Sequence, residues 1–292
     1  MTFAVVIATP TTIWACADRQ LGKESRPTGV KIAIVQASDG TALLTYAGIG
    51  RIGTTEVSQW VGRTLTGLDW PLDRLLKQIA DAAPKRLLPV AAIYKQNHAF
   101  IASAFHQGSH RIYTIDKDAL AAPSYLPRRG IIWESAGTGR NILEKHYEDR
   151  RVAISRLIRL CDLGIVSTLF IAKQLAELNL AVSRKARTTD GISAECTVVC
   201  YALRGKDARF GHWAFDDKGF MQVQKMGLVP QVQRGQLTNE VGEALWGQLI
   251  EKIQASPADD CLKVWKECIA ELNANLQARL SKVTNKPDDS FK

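Results

Sequence analysis

A chain of 292 residues with 46% apolar side chains is long and apolar enough to bury a full core, which excludes an intrinsically disordered protein. Its apolar runs fall short of the roughly 20 residues a membrane helix needs, so no membrane span is expected. The formal charge of +9 raises an anionic partner, but Arg128-Arg129, Arg150-Arg151 and Arg184-Lys185-Arg187 are short and scattered, without zinc-finger spacing or a glycine-aromatic RNA signature; they read as solvated faces or subunit contacts, and nucleic acid is not the expected partner.

Phe3 to Ala8 and Thr11 to Ala17 are β-rich runs joined through Thr9-Pro10 as a hairpin. Lys31 to Ala37 and Ala42 to Ala47 follow, joined by Ser38-Asp39-Gly40, whose Asp-Gly is a strong hairpin signal. Thr54-Thr55-Glu56 opens a helix through Val57, Trp60, Val61 and Leu65, and Pro71 starts a second through Leu72, Leu75, Leu76 and Ile79. Strand character returns over Ala99 to Phe105, Arg111 to Ile115 and Ile131 to Glu134. A long helix from Arg140 to about Leu160 comes next, then another from Ser167 to about Arg184. Glu195 to Leu203 reads as a buried strand, and Gly211 to Phe215 with Phe220 to Gln224 as a closing hairpin.

Two helical segments end the chain, the last from Pro257 to about Leu280 with Cys261, Trp265, Cys268, Leu272 and Leu276 on one packing stripe. This order of elements implies an α+β chain in which two sheets lie between helical layers, a four-layer αββα sandwich. Residues 1–235 are expected to form the main domain, 236–285 a helical C-terminal extension and 286–292 a frayed tail.

Six cysteines (Cys16, Cys161, Cys196, Cys200, Cys261, Cys268) form no CxxC pair and no signal sequence precedes Thr2, so buried, reduced thiols in a cytoplasmic protein are expected. His98, His106, His110, His146 and His212 have neither Ser-His-Asp nor metal-ligand spacing, and no P-loop or dinucleotide fingerprint occurs. No cofactor and no metal are expected.

The chemistry concentrates at the start of the chain. Removal of Met1, the usual fate of Met before a small residue, leaves Thr2 with a hydroxyl and a free α-amine that serves as base for it, so no histidine is needed. An α-amine titrates near pH ~8, and an adjacent ammonium such as that of Lys31 lowers this value and leaves more of the amine free. Lys31 buried alone would lose its proton, so a carboxylate must hold it charged, and Asp18 is the nearest candidate in sequence.

Thr2, Ala17-Asp18-Arg19, Lys31-Ile32 and Ala47-Gly48 together resemble the proteasome-type β-subunits of the N-terminal nucleophile (Ntn) hydrolase superfamily, and the related bacterial ATP-dependent proteasome-like peptidase. Gly137-Thr138-Gly139 before the first helix of the second pair, and Asp190-Gly191-Ile192-Ser193 before a buried strand, resemble two further family elements; the likeness spans roughly residues 2–205. The resemblance implies Thr2 as nucleophile, Lys31 tuning its amine, Asp18 holding Lys31, the backbone N–H of Gly48 binding the oxyanion, and Asp190, Ser193 and Thr138 orienting the amine and a proton-carrying water. Gly48, Gly50 and Tyr46 would contact substrate, a peptide lying along the strand edge or a small amide. Strand alternation puts Tyr46 on the face of Gly48, and a large ring there favours a small substrate residue. Glu195 stands where small residues are common in the family, close to the amine. A homo-oligomer, in ring form, is implied, and an unfoldase partner is left open. The alternatives are a non-catalytic structural or scaffold subunit, a small-molecule amidase of the same superfamily and, weaker, a basic nucleic-acid-binding protein.

Overall fold

The computed structural model describes residues 2–21, 29–93, 97–116, 119–120, 124–125, 130–186, 191–204, 207–222 and 229–237. In chain order these form β1 (Ala4–Ala8), β2 (Thr12–Asp18), β3 (Ile32–Gln36), β4 (Gly40–Ala47), β5 (Arg51–Ile52), β6 (Thr55–Glu56), α1 (Val57–Leu65), α2 (Leu72–Arg86), α3 (Leu88–Ile93), β7 (Ala99–His106) and β8 (Ser109–Asp116). There follow β9 (Ala119–Leu120), β10 (Ser124–Tyr125), β11 (Ile132–Ala136), α4 (Gly139–His146), α5 (Glu148–Asp162), α6 (Thr168–Lys185), β12 (Cys196–Arg204), β13 (Asp207–Phe215), β14 (Gln231–Gln233) and β15 (Gln236–Leu237).

One sheet runs β11-β1-β2-β12-β13, antiparallel throughout; the other runs β10-β8-β7-β4-β3-β14-β15, with β9 on β8 and with β14 parallel to β3. The central strands are buried on both faces and therefore read as near-continuous apolar runs. In β1, Val5 and Ile7 join a core with Ile154, Ile158, Ile171 and Leu175 of α5 and α6, while Ala4, Val6 and Ala8 join a second core with Ile32, Ile34 and Leu43 of the other sheet. A third core packs Ala42, Leu44 and Tyr46 of β4 against Val57, Val61 and Leu65 of α1 and Leu72, Leu75 and Leu76 of α2. Period-two alternation thus hands each strand's side chains to two cores in turn, each buried Leu, Ile or Val stabilising the fold by roughly 1.5–3 kcal/mol.

Both expected hairpins form. Thr9 Oγ1 accepts the N–H groups of Thr11 (3.3 Å) and Thr12 (2.9 Å), closing β1 onto β2, and Ala37 N donates to Gly40 O (2.8 Å) between β3 and β4. The expected long helix from Arg140 is two helices. Tyr147 leaves the helical region at φ −134°, ψ 23°, yet its N–H still reaches Leu143 O (2.9 Å) and its carbonyl still accepts Arg151 N (3.0 Å), so the bend forfeits neither main-chain bond. It also lets the Tyr147 hydroxyl donate to Ala181 O of α6 (3.0 Å). After β13 the chain turns back at Asp216, which accepts the N–H groups of Lys218 (2.9 Å) and Phe220 (2.8 Å); Asp216 N donates to Phe220 O (2.9 Å), Gln222 N to Ala214 O (2.8 Å) and Phe215 bridges Met221, while residues 223 and 224 of the expected return strand lie outside the described residues.

The chain expected as a helical extension, 236–285, starts in strand β15 with Gln236 and Leu237; its remainder, with the tail 286–292, lies outside the described residues. Among the described residues no helix is long and apolar enough to cross a membrane. Cys16, Cys161, Cys196 and Cys200 are buried. Arg150 and Arg151 sit beside Glu177 and Glu148 on the outer helices, as solvated faces do.

Candidate active site

The register of β1 and β2 pairs Ala4 with Ala17, which sets Phe3 opposite Asp18 at the end of the ladder. Asp18 N donates to Phe3 O (3.0 Å), and Phe3 N returns a bond to Asp18 Oδ1 (2.9 Å). Asp18 therefore anchors the first residues of the chain from both main-chain atoms and side chain. Lys31 precedes β3 and brings its ammonium to the same oxygen, Nζ to Asp18 Oδ1 at 2.9 Å, while Nζ also donates to Thr2 Oγ1 at 2.8 Å. Thr2 and Lys31 are each 1% exposed, and Asp18 is fully buried.

The second carboxylate oxygen, Oδ2, accepts the N–H groups of Gln20 (3.2 Å) and Ser193 (3.3 Å). Asp18 thus receives four donors, which fills its acceptor capacity and offsets the cost of burying a carboxylate. Burial lowers the pKa of Lys31 from its ordinary 10.5, and the adjacent Asp18 carboxylate opposes that shift. The Lys31 carbonyl is held as well, by the Thr45 hydroxyl of β4 (2.8 Å).

The expected Gly137-Thr138-Gly139 element lies against Thr2. Gly139 N donates to Thr2 O (3.3 Å), and Gly137, at φ +85°, faces that same carbonyl so closely that a Cβ there would collide with it. Only glycine combines that left-handed backbone with that approach. Thr138 holds the N-terminal cap position of α4, and its Oγ1 is buried with no hydrogen-bond partner among the described residues. Ser193 reaches the site through its main chain, its Oγ accepting Glu195 N (3.0 Å). Asp190 lies outside the described residues. Glu195 turns to Arg19, whose main-chain N–H it accepts (3.0 Å) and whose guanidinium its carboxylate helps keep charged against burial.

Gly48 has φ +109°, and a Cβ there would strike Asn97 O, so the segment after β4 depends on glycine to pass the chain before β7. Gly50 is buried beside Leu21 and accepts Val57 N (3.1 Å) and the Tyr46 hydroxyl (3.5 Å). Tyr46 itself is 2% exposed: alternation along β4 sends it into the core under α1 and α2, stacked on His98 with ring centroids 5.7 Å apart. The ring packs in this core with its hydroxyl on Gly50 O rather than presenting an open face.

Two site residues escaped the sequence reading. His98 accepts Ile49 N at Nδ1 (3.1 Å), fixing the turn after Gly48, and burial pushes its pKa down to about 3, so it stays neutral. Asn179 on α6 is fully buried and donates to the carbonyls of Ser193 (3.1 Å) and Ala194 (2.9 Å). The nearest signal for His98 is its place just before a strand, and for Asn179 a lone amide on an apolar helix stripe; neither is specific. Among the described residues no group of three or more His, Cys, Asp or Glu is placed to hold a metal ion.

No family model matches the chain, and no curated protein matches it. Among solved structures it is similar to an Anbu (Gly-1) mutant from Hyphomicrobium sp. strain MC1, at 17% identity and TM-score 0.46, over 87% of this chain and 100% of that one. It is similar also to Anbu from Yersinia bercovieri, described as an ancestral beta-subunit, at 12% identity and TM-score 0.46, over 86% of this chain and 97% of that one.

Proposed function

We propose that the chain is a threonine-dependent Ntn hydrolase with a four-layer αββα architecture, cleaving amide bonds in peptides, with Thr2 as nucleophile once Met1 is removed. The observation that carries this reading is the buried ammonium of Lys31, 2.8 Å from Thr2 Oγ1 and 2.9 Å from Asp18 Oδ1. A charge buried to this degree is costly unless it is paired and hydrogen-bonded, and here its two described partners are a carboxylate and the hydroxyl of the second residue.

In the proposed reaction the Thr2 α-amine takes the hydroxyl proton, directly or through a water, and Oγ1 attacks the substrate carbonyl. The Lys31 ammonium lowers the pKa of the amine and stabilises the oxygen as it loses its proton; Asp18 keeps Lys31 charged and in place. The Gly48 N–H receives the oxyanion, with His98 holding that segment through Ile49 N. The amine then returns its proton to the leaving nitrogen, and water hydrolyses the acyl ester on Thr2. Ser193, Thr138 and Asp190 orient the amine and its water.

The bulk of the Tyr46 ring behind the Gly48–Gly50 segment supports a small substrate residue before the cut. The protein acts as a cytoplasmic homo-oligomer. Fluorogenic peptide amides test the reading: the wild type hydrolyses them, Thr2→Ala does not, and a library profile is led by small residues. Equal turnover by Thr2→Ala overturns the nucleophile, and a profile led by bulky aromatic residues overturns the pocket. Complete inactivity of a protein that keeps Met1 leaves the scaffold-subunit reading in its place.

A further inference from the structure

The buried face of α6 is otherwise apolar, with Ile171, Ala172, Leu175, Ala176, Leu178 and Val182 in the core beside β1, β2 and β12. Asn179 interrupts it, fully buried, with its Oδ1 lacking any hydrogen-bond partner among the described residues. A buried amide oxygen left unpaired costs about 1–3 kcal/mol, and a leucine of nearly the same shape would avoid that cost. What the asparagine offers instead is its NH2 group, which donates to two consecutive carbonyls, Ser193 O at 3.1 Å and Ala194 O at 2.9 Å.

Those two bonds fix the turn that enters β12, and the same turn points Ser193 N at Asp18 Oδ2 (3.3 Å). The chain of contacts continues from Asp18 Oδ1 to Lys31 Nζ (2.9 Å) and from Nζ to Thr2 Oγ1 (2.8 Å). Ser193 Oγ accepts Glu195 N within the turn, and the Asn179 side chain ties the turn's two carbonyls to α6.

We infer that Asn179 is a positioning residue for the proposed reaction: from the interior of α6 it holds the Ser193–Ala194 turn so that the Ser193 N–H keeps Asp18 aimed at Lys31. This rests on the reading of Thr2 as nucleophile, and it acts through Ser193 and Asp18 without touching substrate. An amide is suited to this because it offers two donors on one nitrogen, matched to two adjacent carbonyls, and carries no charge that would compete with Lys31.

The test compares Asn179→Leu and Asn179→Asp with Leu175→Ala, a cavity variant in the same helix and core that leaves the turn's bonds in place. Amide hydrogen exchange of the 191–197 segment and the kcat and KM for a peptide amide are measured on folded protein, with Thr2→Ala alongside. We expect exchange of that segment to rise at least tenfold in both Asn179 variants and not in Leu175→Ala, and kcat to fall at least tenfold with KM within twofold. Unchanged exchange of the segment overturns the inference, whatever the activity. Faster exchange with kcat no lower than in Leu175→Ala also overturns it, provided Thr2→Ala is inactive. Turnover by Thr2→Ala removes the underlying reading instead, and the exchange result then decides the structural role of Asn179 alone.

Discussion

Among the described residues a polar cluster sits at each end of β4, and the two are built for different ends. At the first, Ser193 N bonds Asp18, Asp18 bonds Lys31 and Lys31 bonds the hydroxyl of Thr2, while Gly139 N donates to the Thr2 carbonyl and Gly137 leaves room for it. At the second, His106 is held at Nε2 by Asp39 (2.9 Å) and at Nδ1 by the Tyr113 hydroxyl (2.8 Å), which donates to Asp73 (2.8 Å); Arg111 lies 2.8 Å from the same Nδ1. Asp39 also accepts Leu72 N (2.8 Å), so this cluster caps α2 and ties it to the β3–β4 turn. Both clusters pair a buried cation with carboxylates, but Asp18 is fully buried whereas Asp39 is 23% and Asp73 55% exposed, so the second cluster keeps its carboxylates in reach of solvent. The difference lies in what completes the network: a hydroxyl that an amine can deprotonate in one case, side chains locking a helix end in the other.

The largest effect that separates the two clusters is expected from Lys31→Met. It strands the Asp18 carboxylate in the core, destabilising the protein by about 3–5 kcal/mol, and lowers turnover by roughly a thousandfold or more in what remains folded. Denaturant melts and kcat per folded molecule check both parts. His106→Leu is the counterpart: it costs about 1 kcal/mol by removing the ring's bonds to Asp39 and Tyr113, which keep Leu72 N and Asp73 as partners, while turnover per folded molecule stays within twofold. If His106→Leu abolishes turnover in folded protein, the division between the clusters fails.

The pH profile sharpens the comparison further. Because burial lowers the pKa of Lys31, its charge, and with it turnover, is lost on raising the pH at values below the ordinary 10.5. A kcat/KM profile whose alkaline limb begins only above that value contradicts the role of Lys31. A smaller effect concerns stability in acid. His98 goes from an ordinary 6.5 when unfolded to about 3 when folded, so between those values the unfolded chain binds the extra proton. Stability therefore rises with pH across that window and is lost as pH falls through it. His98→Gln, which keeps a carbonyl to accept Ile49 N, should flatten that part of the stability curve; an unchanged slope contradicts it.

The site's core was legible because it is set by strand order. Two hairpins signalled by Thr9-Pro10 and Asp39-Gly40 bring the residue at the start of β1, the end of β2 and the start of β3 to one end of the sheets, so Thr2, Asp18 and Lys31 meet. Alternation also located most strands to within two residues. Tyr147 was not legible as a break, since its neighbours are ordinary helix formers and no Gly or Pro marks the spot. β14 was missed because Gln231–Gln233 carries a single apolar residue, and its pairing with β3 joins positions about two hundred residues apart. The same holds for the contacts of Asp39 with His106 and of Asn179 with Ser193, which depend on tertiary packing that no local pattern announces. Tyr46 shows the opposite failure: its place on β4 was readable, but which core that face meets was not.

The most direct measurement is intact mass and peptide mapping after exposure to a β-lactone or epoxyketone probe. The account predicts loss of Met1 and a single adduct on Thr2 that is absent in Thr2→Ala. Retention of Met1 with no adduct, or an adduct that persists in Thr2→Ala, contradicts it.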